Sequence, residues 1–342
     1  MTITIKDVAQ AAGVSPSTVS RVISDHPRIS EETKNRVRGV MQELGYHPNL
    51  QARSLVVRST ETIGVVMPNS ASKVLEDPFF PEVLRGISTK AREHQFGIYL
   101  STGATEKEIY DEVVQMVQGR RVDGIILLYS RTDDKIMKYL LEKKFPFTVV
   151  GRPFENAERI TFVDNDNTSI TKQVTTHLID LGHKEIAFLG ANTEFVFTID
   201  RLKGYKQALE EAQIAFNEDY IIPDAFLQDE QLAEEKMKQL LALPNRPTAF
   251  VIKDDFLAIQ FISFFNSIGI RVPEDISMVG FNNITLCEYS HPPLTSVDIH
   301  IFRLGLEGAN CLIEMLKNPD TLPKRITIPG QMIYRKSCQE KV

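Results

Sequence analysis

The segment Ile5-Lys-Asp-Val-Ala-Gln-Ala-Ala-Gly-Val-Ser-Pro-Ser-Thr-Val-Ser-Arg-Val22 places a proline inside what otherwise has the pattern of an amphipathic helix. Gly13 divides the segment, because a glycine after an apolar-periodic stretch commonly ends a helix. Ser15 then stands at an N-cap position. Pro16 stands at the first helical position, where its missing N–H loses no partner. The segment therefore predicts two short helices joined by a tight turn, with Pro16 beginning the second.

The second of these helices has two different faces. Val19 and Val22 share one side and predict a small apolar core. The other side carries hydroxyl groups and one arginine, at Ser17, Thr18, Ser20 and Arg21. Two short helices around a glycine turn form a helix-turn-helix arrangement, whose second helix enters the major groove of DNA. Hydroxyls can bond base edges or phosphates there, and an arginine can bind guanine with two hydrogen bonds.

Charge is distributed unevenly along the chain. Residues 1–59 contain eight Lys and Arg against five Asp and Glu, a balance of +3, while all 342 residues together carry −6. The remainder therefore carries −9. A basic head on an acidic body indicates that the head meets a polyanion that the body repels. A merely exposed Ser/Thr surface on a helical bundle would leave this asymmetry unexplained.

The head is expected to end soon after a third helix, which Ser30 caps and Gly45 terminates. Residues 47–60 could form about two helical turns but have little to pack against, which predicts a linker that orders conditionally. We therefore expect an all-α head at residues 1–46, a hinge helix and linker at 47–60, and a larger domain at 61–342.

From Thr62 onward, apolar runs of strand length alternate with amphipathic stretches of helical length. This alternation predicts βαβ units and an α/β class, and about 280 residues favour two doubly wound parallel sheets over one. A ligand of such a fold is expected at the carboxyl ends of the strands, between the halves. The predicted strands are Ile63–Met67, Gly97–Ser101, Gly124–Tyr129, Phe147–Val150, Ile160–Val163, Ile186–Leu189, Ala249–Ile252 and Ser277–Phe281.

Motifs for catalysis are missing from the sequence. It contains no glycine-rich phosphate loop, no Gly-x-Ser-x-Gly elbow and no His-Glu-x-x-His motif. Four carboxylates at predicted strand ends could form a general acid–base pair or accept hydroxyl groups in a binding cleft. They are Asp164, Asp166, Asp254 and Asp255. Binding is the favoured role, because no nucleophile or metal set accompanies them.

The remaining metal-ligating residue types support no site. His177 and His183 flank a predicted helix end and fit capping or solvation better than metal binding. The cysteines are far apart and odd in number, which indicates neither a disulfide framework nor a metal set. We expect no catalytic residue, no metal and no cofactor. The N-terminus turns polar too soon for a signal peptide and no apolar run approaches roughly 20 residues, so a cytoplasmic protein without a membrane partner is expected.

Several motifs resemble the lactose- and galactose-repressor (LacI/GalR) family of bacterial transcription regulators. They are Ile5–Val22, Leu44–Asn49, Ala52–Leu55, Asp77–Phe80, Leu181–His183, Arg201–Tyr205 and Pro292–Ser296. The resemblance runs along essentially the whole chain. It implies a homodimer with a periplasmic-binding-protein-like domain of two lobes behind each head. The expected lobes are at about 61–163 with 295–325, and at about 164–292 with 326–342.

The resemblance also implies roles in DNA binding. Pro16, Ser17 and Arg21 match base-reading positions, and Asn49–Leu55 matches a hinge helix that orders in the minor groove, where Leu55 would wedge into a base step. Pro16 departs from members with a long polar side chain there, so more specificity should fall on Ser17, Arg21 and the hinge. The expected contacts with a pseudo-palindromic operator are Ser15, Pro16, Ser17, Thr18, Ser20, Arg21, Asn49, Ala52, Arg53 and Leu55.

An effector site between the lobes follows from the same resemblance. Arg201 matches the arginine that holds effector hydroxyls or carboxylates, whereas Asp254 and Asn282 exchange amide and carboxylate relative to many members. Two alternatives stay open. The aromatic pair is either core or a platform for a sugar face, and Asp164 and Asp166 serve either ligand contact or the hinge strands. The expected effector contacts are Phe79, Phe80, Arg152, Asp164, Arg201, Asp254 and Asn282.

Within the family, Leu75–Pro81, Val150–Pro153 and Gly280–Asn283 are most similar to maltose-operon repressors of Gram-positive bacteria. This similarity implies a repressor of carbohydrate-utilisation genes that is relieved by maltose or a maltodextrin. Another sugar, a phosphorylated sugar, a corepressor and a phosphoprotein coregulator stay open. A solute-binding protein would share the two-lobed domain, but it would need an export signal and would lack residues 1–59.

Overall fold

The structure is a computed structural model that describes residues 3–46, 59–69, 74–224 and 230–341. It divides into two compact units, Met1–Thr60 and Glu61–Val342, and each is described by itself. Four of the expected DNA contacts and the predicted hinge helix lie outside the described residues. These contacts are Asn49, Ala52, Arg53 and Leu55.

The described part of the small unit contains helices α1 (Ile5–Ala12), α2 (Pro16–Ile23) and α3 (Glu31–Glu43). Helix α2 begins at Pro16 as predicted, and its N-cap Ser15 accepts a hydrogen bond from the Thr18 N–H at 3.1 Å. Gly13 has a φ of 65°, a left-handed conformation that glycine adopts without strain. The helices bury a common apolar cluster of Val8, Ala9, Ala12, Val19, Val22 and Val37. The predicted helix-turn-helix head is confirmed.

The large unit begins with strands and helices of a first lobe. These are β1 (Thr62–Val66), α4 (Phe79–Glu93), β2 (Gly97–Leu100), α5 (Glu106–Gln118), β3 (Gly124–Leu127), α6 (Lys135–Glu142), β4 (Phe147–Val150) and β5 (Thr161–Asn165). A second lobe follows, with α7 (Asn167–Asp180), β6 (Ile186–Ala191), α8 (Val196–Glu211), β7 (Ile221–Pro223), α9 (Glu230–Leu241), β8 (Ala249–Ile252), α10 (Asp255–Ser267), β9 (Ser277–Phe281), α11 (Leu286–Tyr289) and β10 (Thr295–Asp298). The chain ends with α12 (Ile301–Lys317), β11 (Arg325–Ile328) and β12 (Gln331–Ile333).

The described strands form two sheets of six strands each. The first has the order β11-β5-β4-β3-β1-β2, and the second has the order β12-β10-β9-β8-β6-β7. Neighbouring strands pair in parallel except β10 and β12, which are antiparallel. The central strands are buried, as expected where helices cover both faces of a parallel sheet. The predicted α/β class with two doubly wound sheets is confirmed.

Two of the expected lobe boundaries are wrong. Strand β10 pairs in parallel with β9, and Ser296 donates to the buried Asp255 at 2.7 Å, so the second lobe extends to Asp298. Strand β11 pairs in parallel with β5, so the first lobe includes Ile328 and the second resumes at β12. The described chain therefore passes between the lobes after β5, after β10 and after β11. Register with a neighbouring strand decides this membership.

Candidate nucleic-acid interface and ligand cavity

Helix α2 presents an exposed polar face. Ser17, Ser20 and Arg21 are exposed, while Val19 and Val22 are buried. The Arg21 side chain makes no ion pair within the described residues, so its guanidinium is available for a phosphate or a guanine edge. The Ser15 and Thr18 hydroxyls lie 2.9 Å apart and are engaged in the helix cap. This face is a surface of the size and chemistry that a recognition helix uses.

A cavity of about 250 Å³ lies between the lobes of the large unit. Residues at the ends of β5, β8 and β9 line it, which agrees with the expected position at the carboxyl ends of parallel strands. The structure brings six of the seven expected effector contacts to this lining. They are Phe79, Phe80, Asp164, Arg201, Asp254 and Asn282.

Arg201 is the most deeply buried charged group of the cavity, with 5% of its surface exposed. Its Nε donates to the Asn167 Oδ1 at 2.9 Å, and its Nη1 donates to the Lys253 carbonyl oxygen. The guanidinium carbon lies 5.2 Å from the ring centre of Phe197 and 4.0 Å from that of Phe281. Burial lowers the pKa of Arg201 to about 10, and the guanidinium stays charged at neutral pH. It is therefore a rigid cationic donor, stacked between two rings.

Close packing of two helices positions this arginine. Helix α8 carries Arg201, and helix α7 begins with Asn167, which accepts the Arg201 Nε–H. The helices touch at Gly204, where a Cβ would lie 2.1 Å from the Thr168 carbonyl oxygen. Only glycine permits this approach, so Gly204 holds the two side chains within hydrogen-bond reach.

Asp164 lies where both roles that the sequence left open are possible. It lines the cavity, and its Oδ2 accepts the Arg152 N–H at 2.9 Å. Its Oδ1 accepts the Asn165 N–H at 2.8 Å and an amide hydrogen of Asn167 at 3.2 Å. Burial raises the pKa of Asp164 to about 6. The carboxylate thus holds the chain together where it leaves β5 for the second lobe, and it also lines the cavity.

The two other polar positions come from the second lobe. Asp254 caps helix α10 by accepting the Leu257 N–H at 2.7 Å. Asn282 follows β9 with a φ of 107°, and its N–H donates to the Val297 carbonyl oxygen at 2.9 Å. The helix cap thus positions the Asp254 carboxylate, and the backbone bond of Asn282 positions that residue in the cavity wall.

Aromatic rings supply the apolar part of the wall. Phe79 and Phe80 lie edge to face at 5.0 Å, and both pack against the core while lining the cavity. Tyr129, Phe195 and Phe197 line it as well. A wall of rings with a few fixed polar groups is typical of sites that bind sugars by stacking and hydrogen bonding.

Arg152 does not reach the cavity lining. Its Nε and Nη2 donate to the two carboxylate oxygens of Asp200 at 3.0 and 2.9 Å. Arg152 follows β4 of the first lobe, whereas Asp200 lies in α8 of the second lobe. The expectation of a direct effector contact is therefore corrected, because the carboxylate of the opposite lobe binds this guanidinium. Its place in the structure is that of a link between the lobes.

Several polar residues of the lining were not predicted from the sequence. Asn167 is bound to Arg201, and Lys253 pairs with Asp224. The Oδ1 of Asp77 accepts the Phe79 N–H at 2.9 Å, and burial raises the pKa of Asp77 to about 6. Only the position of Asp77 beside the Phe79-Phe80 pair could have drawn attention to it. The other residues come together through contacts between distant parts of the chain.

The histidines, the cysteines and Asp166, which the sequence also singled out, make structural contacts. His183 is buried, with its ring nitrogens 2.9 Å from the Thr248 and Ser277 hydroxyls, and His177 lies 5.0 Å from the Tyr334 ring. Within residues 3–46, 59–69, 74–224 and 230–341, no group of three potential ligands could hold a metal. The cysteines are free thiols, and Asp166 caps α7. No helix in the described part of the chain is long and apolar enough to cross a membrane.

Comparison with known proteins gives two regions of similarity. Residues 4–49 match the bacterial regulatory proteins of the lacI family, and residues 175–338 match the periplasmic binding protein-like domain. The chain is 40% identical over 323 residues to the HTH-type transcriptional regulator MalR of Streptococcus pneumoniae, which covers 93% of this chain and 94% of that protein.

Two solved structures share the fold. The complex of transcriptional regulator CelR with cellobiose is 30% identical, with a TM-score of 0.75 over 98% of this chain and 99% of that one. The probable maltose operon transcriptional repressor of Staphylococcus aureus is 28% identical, with a TM-score of 0.76 over 83% of this chain and 99% of that one.

Proposed function

Because the chain belongs to the LacI family of bacterial regulatory proteins, we propose that it represses carbohydrate-utilisation genes until a sugar binds between its lobes. It is a DNA-binding transcription regulator and not an enzyme. The exposed Ser17, Ser20 and Arg21 of α2 are the proposed base-reading groups of the head. A homodimer would present two such helices to the half-sites of a pseudo-palindromic operator. Operator binding would place the protein in the cytoplasm.

One observation carries the effector half of this proposal. Arg201 is fixed between two aromatic rings inside a cavity to which both lobes contribute, with Asp164, Asp254 and Asn282 around it. A ring of alternating C–H and O–H groups can stack on the phenylalanines and bond these polar atoms. The volume of about 250 Å³ is at the small end for ligand sites, which favours a sugar of one or two rings over a longer oligosaccharide. Similarity to a MalR regulator and to a maltose operon repressor supports maltose or a short maltodextrin as the effector.

The proposed mechanism is a coupling between the two sites. The sugar stabilises one arrangement of the lobes, and the hinge segments of the dimer then lose the geometry that fits the operator. Linkage requires the operator to weaken sugar binding by the same factor by which the sugar weakens operator binding. If the ligand were a corepressor, it would strengthen operator binding instead of weakening it, at the same two sites. A phosphoprotein coregulator is a further proposed partner, to be tested by adding it to the operator-binding reaction.

A gel shift tests both halves of the proposal at once. The probe is the DNA upstream of the protein's own gene, with a random duplex as the control, and maltose, cellobiose or no sugar is added. We expect a specific complex that maltose dissociates. A complex that maltose tightens would assign it as a corepressor. No specific complex under any condition would contradict the proposed function.

A pair of conservative variants separates the effector site from the head. Arg201→Lys keeps the charge but loses the bridge from Asn167 to the Lys253 carbonyl, so operator binding should persist while the maltose response is lost. Arg271→Lys is the matched control, because Arg271 is an exposed arginine of the same lobe that pairs with Asp275. A normal induction curve for Arg201→Lys would exclude the proposed role.

A further inference from the structure

The cavity wall contains more negatively than positively charged groups. The lining contains four carboxylates and two cations among the described residues, an excess of two negative charges when all are ionised. The carboxylates are Asp77, Asp164, Asp224 and Asp254, and the cations are Arg201 and Lys253. A cavity with this balance repels an anion unless a cation is free to bind it.

Neither cation is free to bind an anion. The Lys253 ammonium is paired with Asp224 and lies 3.8 Å from the Asp254 Oδ2. Arg201 donates its Nε–H to Asn167 and one Nη1 hydrogen to the Lys253 carbonyl oxygen, and its second Nη1 hydrogen and its Nη2 hydrogens have no acceptor among the described residues. Recognition of phosphate or carboxylate by arginine usually takes two parallel N–H donors. Because the Nε–H is engaged by Asn167, the parallel Nε and Nη2 donors cannot clamp an anion together, and the donors left in the cavity suit hydroxyl oxygens.

Asp77 adds a hydrogen-bond acceptor to the cavity from the first lobe. It lies just before α4 in the first lobe, where its Oδ1 accepts the Phe79 N–H and its Oδ2 accepts no hydrogen bond from a described residue. After burial, the largest influence that raises its pKa is the charge of Asp254, so the two carboxylates of opposite lobes sense each other. An ionised carboxylate accepts hydrogen bonds and donates none.

We propose that the cavity takes an uncharged, hydroxyl-rich sugar, and that Asp77 is a specificity-determining residue that excludes phosphorylated and carboxylated counterparts. This inference rests on the proposed function, in which a sugar is the effector of this cavity. Hydroxyl groups of a neutral sugar donate to Asp77 and Asp254 together and so relieve the repulsion between the lobes. A phosphate group adds about two negative charges at neutral pH and no donor that could do the same.

Calorimetric titration of the full chain with matched sugars tests the inference. The pairs are maltose with maltose 6′-phosphate, trehalose with trehalose 6-phosphate, and glucose with glucuronate, at about pH 7.5, where phosphate and carboxylates are ionised. At least one neutral sugar should bind, and its anionic partner should bind roughly 100-fold more weakly, because like charges repel strongly in a low-dielectric site. The phosphate and glucuronate arms separate the two sources of negative charge.

Two variants assign the exclusion to Asp77. Asp77→Asn should reduce the discrimination against the anionic sugar by about tenfold, since one repulsive partner is removed and the shape is kept. Asp133→Asn is the matched control, because Asp133 belongs to the same lobe, is exposed and lies outside the cavity lining. It should leave the discrimination unchanged.

The outcomes separate this inference from the proposed function. Tighter binding of an anionic sugar than of its neutral partner would overturn the inference while leaving the regulator intact. Unchanged discrimination in Asp77→Asn would overturn the role of that residue. Failure of every neutral sugar to bind would overturn the inference as well, and the gel shift would then report whether operator binding fails with it.

Discussion

The pair between Arg152 and Asp200 joins the two lobes beside the cavity, so its loss should weaken effector binding. Both carboxylate oxygens are engaged, at 2.9 and 3.0 Å. The pair forms only when the lobes are as close as they are in this structure. If this arrangement of the lobes is the one that the sugar stabilises, Arg152→Ala should lower sugar affinity without altering the residues that line the cavity.

The size of the effect follows from exposure. The Arg152 side chain is 38% exposed and that of Asp200 16%, so the pair is neither a surface ion pair nor a buried one. Exposed ion pairs contribute about 0 to 1 kcal/mol, and hydrogen bonds to charged groups about 1.5 to 3 kcal/mol. A contribution of about 1 to 2 kcal/mol corresponds to a loss of roughly 5- to 30-fold in sugar affinity.

The assay is a double-mutant cycle on sugar affinity, with Arg152→Ala, Asp200→Ala and the double variant measured by calorimetry. The two changes should be non-additive by about 1 to 2 kcal/mol, because either one removes the whole interaction. Arg159→Ala is the control, since it removes an exposed arginine from the same loop. Additive losses, or an equal loss in Arg159→Ala, would refute the reasoning.

Four further outcomes are expected. Leu55→Ala should lose operator-specific affinity while salt-sensitive binding to random DNA persists, and equal losses on both DNAs in gel shifts would contradict the wedge. Arg21→Ala should cost about 1 to 3 kcal/mol and relax the preference at one base pair, measured on an operator series with single substitutions. Because burial raises the pKa of Asp164 from 3.8 to about 6, the folded state binds more protons, so the free energy of unfolding should fall as pH rises through this interval. Urea unfolding of Asp164→Asn should show a weaker fall, and an identical pH profile would contradict this origin. Sedimentation should give a dimer, and a tetramer would be inconsistent with this expectation.

Much of the fold could be predicted from local patterns. All the strands predicted from apolar runs are present, with ends that differ by no more than two residues. Apart from the edge strand β2, they are central strands, where burial on both faces requires a continuous apolar run. The edge strands β7, β11 and β12 were not predicted, because none of them contains an apolar run of strand length. Strand β10 escaped prediction since its Thr-Ser-Val-Asp sequence is polar, yet its buried Ser296 is satisfied by Asp255.

The ligand cavity, like the fold, could be predicted only in part from the sequence. Six residues named from the resemblance line one cavity, because a motif marks a position along the chain. The resemblance could not predict that Arg152 would bind Asp200, that Lys253 would be paired with Asp224, or that Asp77 and Asp254 would line the same cavity. Each of these arrangements brings together segments that are far apart in sequence.

The sequence by itself determined the elements and their order, since caps such as Ser15, glycine stops and apolar periodicity act within a few residues of the chain. Only the tertiary structure decided which sheet β10 and β11 join, where Arg152 points, and what charge the cavity presents. The physical reason is the distance along the chain over which each interaction acts. Helix and strand formation depends on neighbouring residues, whereas strand register, ion pairing and desolvation depend on which distant groups the completed fold brings together.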